Sequence, residues 1–377
     1  MGFLFLILFL NGVRTVDEFY MRMALELARK GKGWTAPNPL VGAVIVKAGR
    51  VIGQGYHEEY GQPHAEVKAI ASASECVSGA TLYVTLEPCS HFGKTPPCSD
   101  LLIEKNIKRV VIGITDPNPL VAGKGIERLR NNGIEVITGV LEVEIQQLNE
   151  VFIKYIVTKE PFVVMKSAMS LDGKTATVTG ESQWISSRTA REQVHGLRHE
   201  LAGIMVGIET IIRDNPQLTS RTPNSKNPIR IVVDSQLRIP MVSTVLHYQD
   251  KAKTIIATTK RASREKLKTL KKMGIEVIVT KEQFGRVNLR ELMRRLGARG
   301  IDSILLEGGA TLNFSALKEG IVDKVQVYIS PKIIGGKNAK TAVEGEGVLS
   351  LKSAFQIKRL KTVMVGEDLF VEGYIDK

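Results

Sequence analysis

Short apolar runs alternate with amphipathic segments along most of the chain. In the first half, apolar runs predict strands, and apolar positions spaced three or four apart predict helices between them. The first helix is predicted to begin near Asp17, where Phe19, Met23 and Leu27 share one face. The predicted strands are 40–46, 51–55, 81–86, 108–114 and 135–138, and the further helices are 65–73, 98–105 and 125–132. This order is typical of an α/β domain.

The same alternation returns after Pro161. A long amphipathic segment, 142–158, leads to this proline, and the residue before a proline disfavours helical geometry. The strands predicted beyond it are 162–168, 203–207, 229–234, 254–258, 276–279, 303–307 and 324–329, with a closing hairpin of 355–363 and 369–375. A chain of 377 residues is long for one core. We therefore expect two α/β domains, at 17–150 and 160–377.

An apolar run occupies residues 3–10. Eight residues are too few to span a bilayer, no Lys or Arg precedes them, and no small-residue cleavage motif follows. Two interpretations stay open for residues 1–16: a non-native start upstream of Val16, or a weak membrane anchor. We favour the first and expect no association with membranes.

Composition narrows the class of protein and of partner. The chain is 43% hydrophobic and 24% charged, which is typical of a globular protein. Its 52 Lys and Arg against 39 Asp and Glu give a net charge of +13, which suits anionic partners. Aromatic residues are only 6%, and no run of five basic residues occurs, so phosphorylated small molecules are favoured over nucleic acid. The 3 cysteines make no disulfide framework, which indicates a cytoplasmic protein.

Three metal-ligand residues follow a specific order. His64-Ala65-Glu66 is followed by Pro88-Cys89 and then by Cys98. An imidazole and two thiolates make a zinc site with an open fourth position, and Glu66 can move protons beside it. Each motif alone is common, but this combination indicates a hydrolytic deaminase. Cys76 lies outside the pattern, and we expect it to be a small buried or half-exposed residue.

The expected local structure supports this interpretation. We expect His64 and Glu66 to open one helix and Cys89 to open the next, so that two helix N-termini meet at the metal.

Two similar loops frame the expected metal site. Pro37 to Gly42 and Pro117 to Gly123 share a Pro-Asn-Pro-Leu-Val start. Either loop could be only a rigid turn. Asn38 is nevertheless a candidate substrate contact, because its amide can donate and accept hydrogen bonds. Asp116, Asn118 and Lys124 are candidate contacts for a substrate phosphate.

The segment between the two cysteines carries a resemblance. Residues 88–98, Pro-Cys-Ser-His-Phe-Gly-Lys-Thr-Pro-Pro-Cys, resemble the bifunctional riboflavin-biosynthesis deaminase–reductase family. Cytidine and tRNA adenosine deaminases have two residues between their cysteines, so the eight here argue against them. The resemblance covers residues 17–377. It implies a cytidine-deaminase-like three-layer domain in which His64, Cys89 and Cys98 bind zinc and Glu66 is the catalytic proton shuttle. His91 is an alternative ligand that we interpret as a substrate or loop-ordering contact.

The second half carries motifs of the same family. Residues 307–314, Glu-Gly-Gly-Ala-Thr-Leu-Asn-Phe, follow a strand and open a helix, where glycines let a pyrophosphate approach the backbone. The motif is not G-x-G-x-x-G, so its spacing alone is a weak signal. Residues 166–174 and 180–185 resemble the family's reductase domain, which implies a dihydrofolate-reductase-like α/β fold and NADPH as cofactor.

The resemblance also implies two sets of site residues. The expected NADP contacts are Ala168, Trp184, Thr210, Asp214, Ser235, Gly309, Ala310, Thr311, Leu312, Asn313, Phe314 and Ser315. The expected substrate contacts are Asn38, Lys166, Ser182, Arg198, Leu218, Arg221 and Glu307. Without the resemblance, Trp184 could equally anchor a core, and Arg198 and Arg221 could be solvated charges. With it, the two arginines are suitable partners for a phosphate.

Together these features predict a two-step enzyme. The first domain would hydrolytically deaminate 2,5-diamino-6-(5-phosphoribosylamino)pyrimidin-4-one, and the second would reduce the ribosyl group to ribityl with NADPH. We expect a phosphorylated pyrimidine as partner, no nucleic acid and a homo-oligomer. The alternative is a tRNA or nucleic-acid base deaminase with an appended binding domain. A regulatory protein with inactive sites is disfavoured because Glu66 is intact. The preference for NADPH over NADH stays open.

Overall fold

The computed structural model describes residues 15–90 and 96–376. The chain divides into two compact units, one ending at Thr158 and the other beginning at Lys159. The apolar run 3–10 and His91 lie outside the described residues, so the predictions for them stay untested. Within the described ranges, no helix combines the length and apolarity that crossing a bilayer requires.

The first unit is a five-stranded sheet with helices on both faces. Its strand order is β2-β1-β3-β4-β5, in which β1 pairs antiparallel with β2 and β3, and β3, β4 and β5 are parallel. The strands are β1 (Gly42–Lys47), β2 (Arg50–Tyr56), β3 (Thr81–Leu86), β4 (Arg109–Ile114) and β5 (Glu135–Thr138). The helices are α1 (Val16–Arg29), α2 (Ala65–Ala71), α3 (Cys98–Glu104), α4 (Lys124–Asn131), α5 (Glu142–Leu148) and α6 (Glu150–Thr158).

Helices pack closely against both faces of this sheet, so the first unit has three layers. A Cβ on Gly42 would lie 1.9 Å from the Ala24 carbonyl oxygen in α1. A Cβ on Gly55, which pairs with Ala43, would lie 2.5 Å from the Ala69 nitrogen in α2. Successive residues of a strand point to opposite faces, so α1 and α2 cover opposite sides of the sheet. The predicted three-layer fold is confirmed.

A charged cluster fixes α1 to the sheet. Thr15 Oγ1 accepts from the Glu18 backbone N–H and caps the helix. Arg109 at the start of β4 donates to both carboxylate oxygens of Asp17, at 2.9 and 2.8 Å, and the Tyr83 hydroxyl donates to the same carboxylate at 2.9 Å. The hydrogen bond from Arg109 lowers the pKa of Asp17, so its charged form is retained in the fold.

The second unit is built on a nine-stranded sheet. Its order is β10-β9-β8-β7-β13-β6-β14-β16-β15. Neighbouring strands from β10 to β14 in this order are parallel. The last two strands, β16 and β15, form a hairpin, and β16 pairs antiparallel with β14. The strands are β6 (Phe162–Ser170), β7 (Gly203–Gly207), β8 (Ile229–Val233), β9 (Thr254–Thr258), β10 (Glu276–Val279), β13 (Ser303–Leu306), β14 (Lys324–Ser330), β15 (Ile357–Val365) and β16 (Asp368–Ile375). A separate short hairpin consists of β11 (Glu282–Gln283) and β12 (Arg286–Val287). The helices are α7 (Arg188–Glu200), α8 (Ile208–Asp214), α9 (Arg264–Lys272), α10 (Leu289–Gly297) and α11 (Ala310–Lys318).

Apolar cores lie on both faces of this sheet. Ile204 belongs to a cluster with Ile211 of α8 and Leu270 of α9. Its neighbour Met205 belongs to a cluster that includes residues of α10 and α11. Strands buried on both faces carry continuous apolar runs, which is the pattern that the sequence displays.

The predicted strands are confirmed: most of their ends are as predicted, and the others are shifted by one or two residues. The amphipathic segment 142–158 is helical, but it forms two helices that are separated at Asn149. The buried Asn149 amide accepts from the Leu40 N–H at 2.8 Å and donates to the Leu40 carbonyl at 3.0 Å. These bonds to a distant loop hold Asn149 outside helical geometry. The β11–β12 hairpin was not predicted.

Candidate active sites

Three side chains of the first unit converge where helices and strands end. His64 is the N-cap residue of α2, with extended backbone angles, and Cys98 is the first residue of α3. Cys89 lies in the loop after β3, nine residues before that helix. The expectation that Cys89 opens a helix is therefore wrong. Of the described residues between the cysteines, Ser90, Pro96 and Pro97 are not helical, and Cys98 is the residue that lies at a helix start.

The three candidate ligand atoms have the spacing that zinc requires. The His64 Nδ1 atom lies 3.6 Å from Cys89 Sγ and 3.3 Å from Cys98 Sγ, and all three atoms lie within 4.8 Å of one another. A tetrahedral zinc with ordinary bond lengths separates such nitrogen and sulfur atoms by about 3.6 Å. The residues therefore fit a zinc ion with three protein ligands and one open position.

The thiols are already polarised for metal binding. The hydrogen bond from the Cys98 thiol and that from His64 lower the pKa of Cys89 to about 4, and the Cys98 backbone N–H donates to Cys89 Sγ at 3.3 Å. The same bond raises the pKa of Cys98, so one proton remains in the pair. A cation that binds both sulfurs displaces that proton. Cys76 is exposed, contrary to the expectation of a buried or half-exposed residue.

Glu66 is the acidic group beside this triangle. It lies in the first turn of α2, two residues after His64, and its side chain is buried. Burial, and next the negative charge of Cys89, raise the pKa of Glu66 to about 7. A carboxyl group with a pKa near neutrality can both accept and release a proton.

Asn38 lies beside a histidine that was not predicted as a site residue. Its Nδ2 atom is 3.2 Å from Nε2 of the buried His57, whose Nδ1 is 3.3 Å from the Pro63 carbonyl. The His57 and His64 rings meet edge to face, with centroids 5.8 Å apart. This contact places the Asn38 amide close to the metal-ligand triangle.

Glu87 is a second residue that was missed, although it directly precedes Pro88-Cys89. Its buried carboxylate accepts from four backbone N–H groups, those of Asp116, Gly123, Gly125 and Ile126. A Cβ on Gly125 would lie 2.1 Å from the Pro88 carbonyl oxygen, so only glycine permits this approach. The loop after β4 is thereby fixed to the loop that carries Cys89.

The proposed phosphate contacts in that loop have local roles. Asp116 Oδ1 accepts from the Asn118 N–H at 2.8 Å, and Asn118 Oδ1 accepts from the Leu120 N–H at 3.2 Å. Lys124 is exposed at the start of α4. The two side chains order the turn, and the phosphate contact stays a prediction.

In the second unit, the predicted site residues line one cavity of about 1330 Å³. It lies at the carboxyl ends of β6, β7, β8 and β13, where loops of neighbouring strands meet. It is larger than a typical small-molecule pocket of roughly 300–1,000 Å³. All of the expected NADP and substrate residues of this unit line it except Phe314. Phe314 is buried and packs against Phe355, with ring centroids 6.4 Å apart.

The cavity wall fits a dinucleotide at the start of α11. Gly308 and Gly309 have φ angles of +107° and +69°, which only glycine adopts readily. No other atom lies within 4 Å of a Cβ built on Gly308, so the backbone there faces open space. Asn313 Oδ1 is a buried acceptor without a hydrogen-bond partner among the described residues, and its Nδ2 donates to the Ala342 carbonyl. These groups are available to a bound nucleotide.

A half-buried ion pair lies at the carboxyl end of β13. Arg198 donates to both carboxylate oxygens of Glu307, each at 2.8 Å, and to the Thr219 carbonyl at 3.1 Å. Burial alone would raise the pKa of Glu307, but the charge of Arg198 lowers it below the ordinary value. Burial lowers the pKa of Lys166 nearby, where Glu307 partly compensates. The guanidinium fork of Arg198 is thus directed at Glu307, so it is less available to a phosphate than expected.

The remaining predicted residues lie around the mouth and floor of the cavity. Trp184 is 57% exposed, which excludes the alternative that it anchors a core, and the Arg191 guanidinium lies 4.4 Å from its ring centroid. Ser182 and Arg221 are exposed, and Leu218 is buried. His195 also lines the cavity, with a buried Nδ1 that has no hydrogen-bond partner in the described part of the chain. It was missed because a histidine between Val194 and Gly196 belongs to no recognised motif.

Fold and site together define a zinc-dependent deaminase joined to a dinucleotide-dependent reductase. Residues 14–114 match the cytidine and deoxycytidylate deaminase zinc-binding region, and residues 161–371 match the RibD C-terminal domain. The chain belongs to the RibD family of riboflavin biosynthesis proteins, whose members are bifunctional zinc deaminases and NADP-dependent reductases. The resemblance found in the sequence is confirmed, and the family that the comparisons show is not that of the alternative, a nucleic-acid base deaminase.

Individual relatives match along nearly the whole chain. The riboflavin biosynthesis protein RibD of Actinobacillus pleuropneumoniae is 50% identical over 363 residues, which cover 96% of each chain. RibD of Escherichia coli strain K12 is 43% identical over 366 residues, covering 94% of this chain and 98% of the relative. The solved structure of Acinetobacter baumannii RibD, form 1, aligns with a TM-score of 0.85 at 36% identity, over 96% of this chain and 99% of that one.

The ligand triangle leads to a prediction about metal content. Cys89→Ser and Cys98→Ser should each remove zinc, because a hydroxyl is a poor replacement for a thiolate ligand. Cys76→Ser should leave about one zinc per chain, as in the unmodified protein. Zinc is measured by mass spectrometry after dialysis against a weak chelator. Stoichiometric zinc in Cys98→Ser would contradict the assigned ligands.

Proposed function

We propose that the chain acts on 2,5-diamino-6-(5-phosphoribosylamino)pyrimidin-4-one, deaminating it in the first unit and reducing its ribosyl group to ribityl in the second. The observation that carries this proposal is the triangle of His64, Cys89 and Cys98 beside the buried Glu66. A Thermotoga maritima structure is titled a diaminohydroxyphosphoribosylaminopyrimidine deaminase/5-amino-6-(5-phosphoribosylamino)uracil reductase. It aligns over 96% of this chain and 99% of its own length, with 40% identity and a TM-score of 0.83.

In the proposed deamination, Glu66 moves protons between water and the substrate. Zinc, when bound, supplies an activated water at the open coordination position. The Glu66 carboxylate accepts a proton from that water and passes it to the ring nitrogen. The water oxygen forms a bond to the ring carbon that carries the amino group. Glu66 then takes the remaining hydroxyl proton and delivers it to that amino group, so that the C–N bond breaks, ammonia departs and a carbonyl remains. The pKa of Glu66, near 7, suits both directions of transfer.

Asn38 is the proposed contact for the pyrimidine edge. Its Nδ2 faces His57 at 3.2 Å, which leaves the Oδ1 atom to accept from an amino group of the substrate. This orientation would distinguish a diaminopyrimidine from a ring that lacks a donor there.

In the proposed reduction, the protein aligns the two reactants. NADPH, when bound, supplies a hydride to the ribosyl carbon. Arg198 holds the Glu307 carboxylate rigidly at the carboxyl end of β13, next to Lys166 on β6. The Glu307 carboxylate and the Lys166 amine orient the sugar hydroxyls. We assign the substrate phosphate chiefly to Arg221, an exposed cavity residue that makes no ion pair within the residues described. Both substrates are anionic, in agreement with the net charge of +13.

Self-association belongs to the same proposal. The edge strand β15 has eight exposed positions out of nine, and four of them are large and apolar: Ile357, Leu360, Val363 and Met364. An exposed apolar edge strand is a template for pairing with another chain. We propose that a second copy of this chain covers it. A cytoplasmic location is also proposed, because both zinc-binding thiols must stay reduced.

The order of the two reactions is testable with one substitution. Given the diaminopyrimidine phosphate, the unmodified protein should release ammonia without NADPH and oxidise NADPH only after deamination. Glu66→Gln should keep its zinc but lose about 10²- to 10⁴-fold of ammonia release, since a general acid and base is removed. With the deaminated substrate, its NADPH oxidation should be normal. Unimpaired ammonia release from this variant would refute the role of Glu66.

The two glycines before α11, Gly308 and Gly309, yield a second prediction. Gly309→Ala adds a methyl group at φ +69°, where an L-residue is strained, and moves the backbone N–H groups that would meet a pyrophosphate. NADPH affinity measured by calorimetry should fall by about tenfold or more, because 1.4 kcal/mol of lost binding already has that effect. Ammonia release and zinc content should be unaffected. Thermal unfolding provides the control for general misfolding, and unchanged affinity would place the cofactor elsewhere.

The edge strand yields a third prediction. Met364→Glu should weaken self-association by at least about tenfold, because a charge would be buried at the interface. Val242→Glu is the matched control, since Val242 is 81% exposed and lies outside the hairpin. Sedimentation equilibrium measures the dissociation constant of each variant. A monomeric unmodified protein, or equal effects of both substitutions, would contradict pairing through β15.

A further inference from the structure

Gly308 and Gly309 form a glycine cradle at the start of α11. The cavity of the second unit extends beyond this cradle, away from the substrate residues. The cradle lies where β13 meets β7, since the Gly207 N–H donates to the Gly308 carbonyl at 3.0 Å. Lys166 lies on β6, on one side of β13, and Ser235 follows β8, on the other side. Arg286 and Val287 of the β11–β12 hairpin also line the cavity. The cavity therefore crosses at least four strand ends.

The course of the cavity from β6 to β8 determines where the nicotinamide half and the adenosine half of a dinucleotide lie. If the pyrophosphate lies at Gly309, the nicotinamide must reach toward Glu307 and Lys166, where the substrate is reduced. The adenosine half then lies over the end of β8, two strands and about 10 Å from β13. Its polar groups would face Ser235 and the β11–β12 hairpin.

Arg286 is a basic group at this end of the cavity. Its Nη1 atom donates to Ser315 Oγ at 3.3 Å, and Ser315 Oγ in turn donates to the Thr311 carbonyl at 3.0 Å. The backbone N–H of the next residue, Val287, donates to Ser235 Oγ at 3.1 Å, which leaves the Ser235 hydroxyl hydrogen for a ligand. The guanidinium and the Ser315 hydroxyl are thus in contact, and Ser235 contacts the residue that follows Arg286.

Other arginines of the cavity are engaged differently. Arg238 pairs with Glu209 at 2.5 Å, and Arg198 pairs with Glu307. Arg191 stacks on Trp184, and Arg213 neighbours the Asp214 carboxylate. Arg286 forms no ion pair within the part of the chain that is described, and the nearby Glu346 is paired with Lys318 at 2.8 Å. Its guanidinium is available to an anion.

We propose that Arg286, with Ser235 and Ser315, binds the 2′-phosphate of NADPH and makes the reductase prefer NADPH to NADH. A guanidinium binds phosphate through charge-assisted hydrogen bonds, the Ser235 hydroxyl supplies a further donor, and Ser315 accepts from Arg286 and so orients the guanidinium. NADH carries a neutral hydroxyl at that position, so it would gain little from Arg286. This inference rests on the proposed position of the pyrophosphate at Gly309.

Calorimetry on the full-length zinc-loaded protein tests the proposal with four probes: NADPH, NADH, 2′,5′-ADP and 5′-AMP. Unmodified protein should bind the two 2′-phosphorylated probes more tightly than their counterparts. Arg286→Gln should weaken NADPH and 2′,5′-ADP by about 10- to 100-fold and change NADH and 5′-AMP by less than about twofold. Arg286→Lys should be intermediate, because it keeps the charge and loses the fork. Arg264→Gln removes the same charge from an exposed position outside the cavity and should change nothing.

Three outcomes overturn the assignment. In the first, the unmodified protein binds 2′,5′-ADP and 5′-AMP equally. In the second, Arg286→Gln loses as much affinity for NADH as for NADPH. In the third, Arg213→Gln or Arg238→Gln, and not Arg286→Gln, loses the discrimination between NADPH and NADH. Gly309→Ala separates this failure from a failure of the proposed function. If that variant weakens NADPH and NADH alike while Arg286→Gln has no selective effect, the pyrophosphate position stands and only the 2′-phosphate site is wrong. If it weakens neither, the cofactor position itself is wrong.

Discussion

Buried parallel strands determine where both candidate sites lie. The carboxyl ends of neighbouring parallel strands open at the same edge of a sheet, so the loops that follow them come together. In the first unit, Cys89 follows β3 and Asp116 follows β4, and the Glu87 carboxylate binds the second loop to the first. In the second unit, Lys166, Ser235 and Glu307 come from three strands whose ends meet at one cavity. The chemistry varies between the units, but the placement follows the same rule.

Three glutamates, of which Glu307 is half-buried and Glu87 and Glu66 are buried, illustrate how the surroundings assign roles to one residue type. Glu307 faces the guanidinium of Arg198 and stays charged, and Glu87 is held by four backbone N–H groups. Among the described residues, neither a guanidinium nor a set of backbone N–H groups holds Glu66, and burial raises its pKa to about 7. A buried carboxylate that is paired gives rigidity, whereas one that is unpaired can exchange a proton. Only the third is suited to proton transfer.

Arginine shows the same dependence on partners in the second unit. Arg198 and Arg221 were equivalent candidates for a phosphate when judged by residue type alone. In the folded unit Arg198 holds Glu307 in place, while Arg221 is exposed at the cavity wall. Arg286 belongs to no motif of the sequence, and its position in the cavity follows from a two-stranded hairpin too short to predict.

The sequence by itself determined the buried strands, the two-unit order and the candidate metal ligands. Strands such as 81–86 and 254–258 are continuous apolar runs, and an apolar run predicts burial without knowledge of what covers it. A zinc set of one histidine and two cysteines is likewise defined by its donor atoms. Tertiary structure decided the features that depend on residues distant in sequence. The helix break at Asn149 depends on its hydrogen bonds to Leu40, and Phe314 is buried against Phe355. The loop position of Cys89 and the pairing of Arg198 with Glu307 were decided in the same way. A linear pattern records the polarity of each residue, but a hydrogen bond or ion pair between distant residues forms only when the fold brings the two groups within about 3 Å.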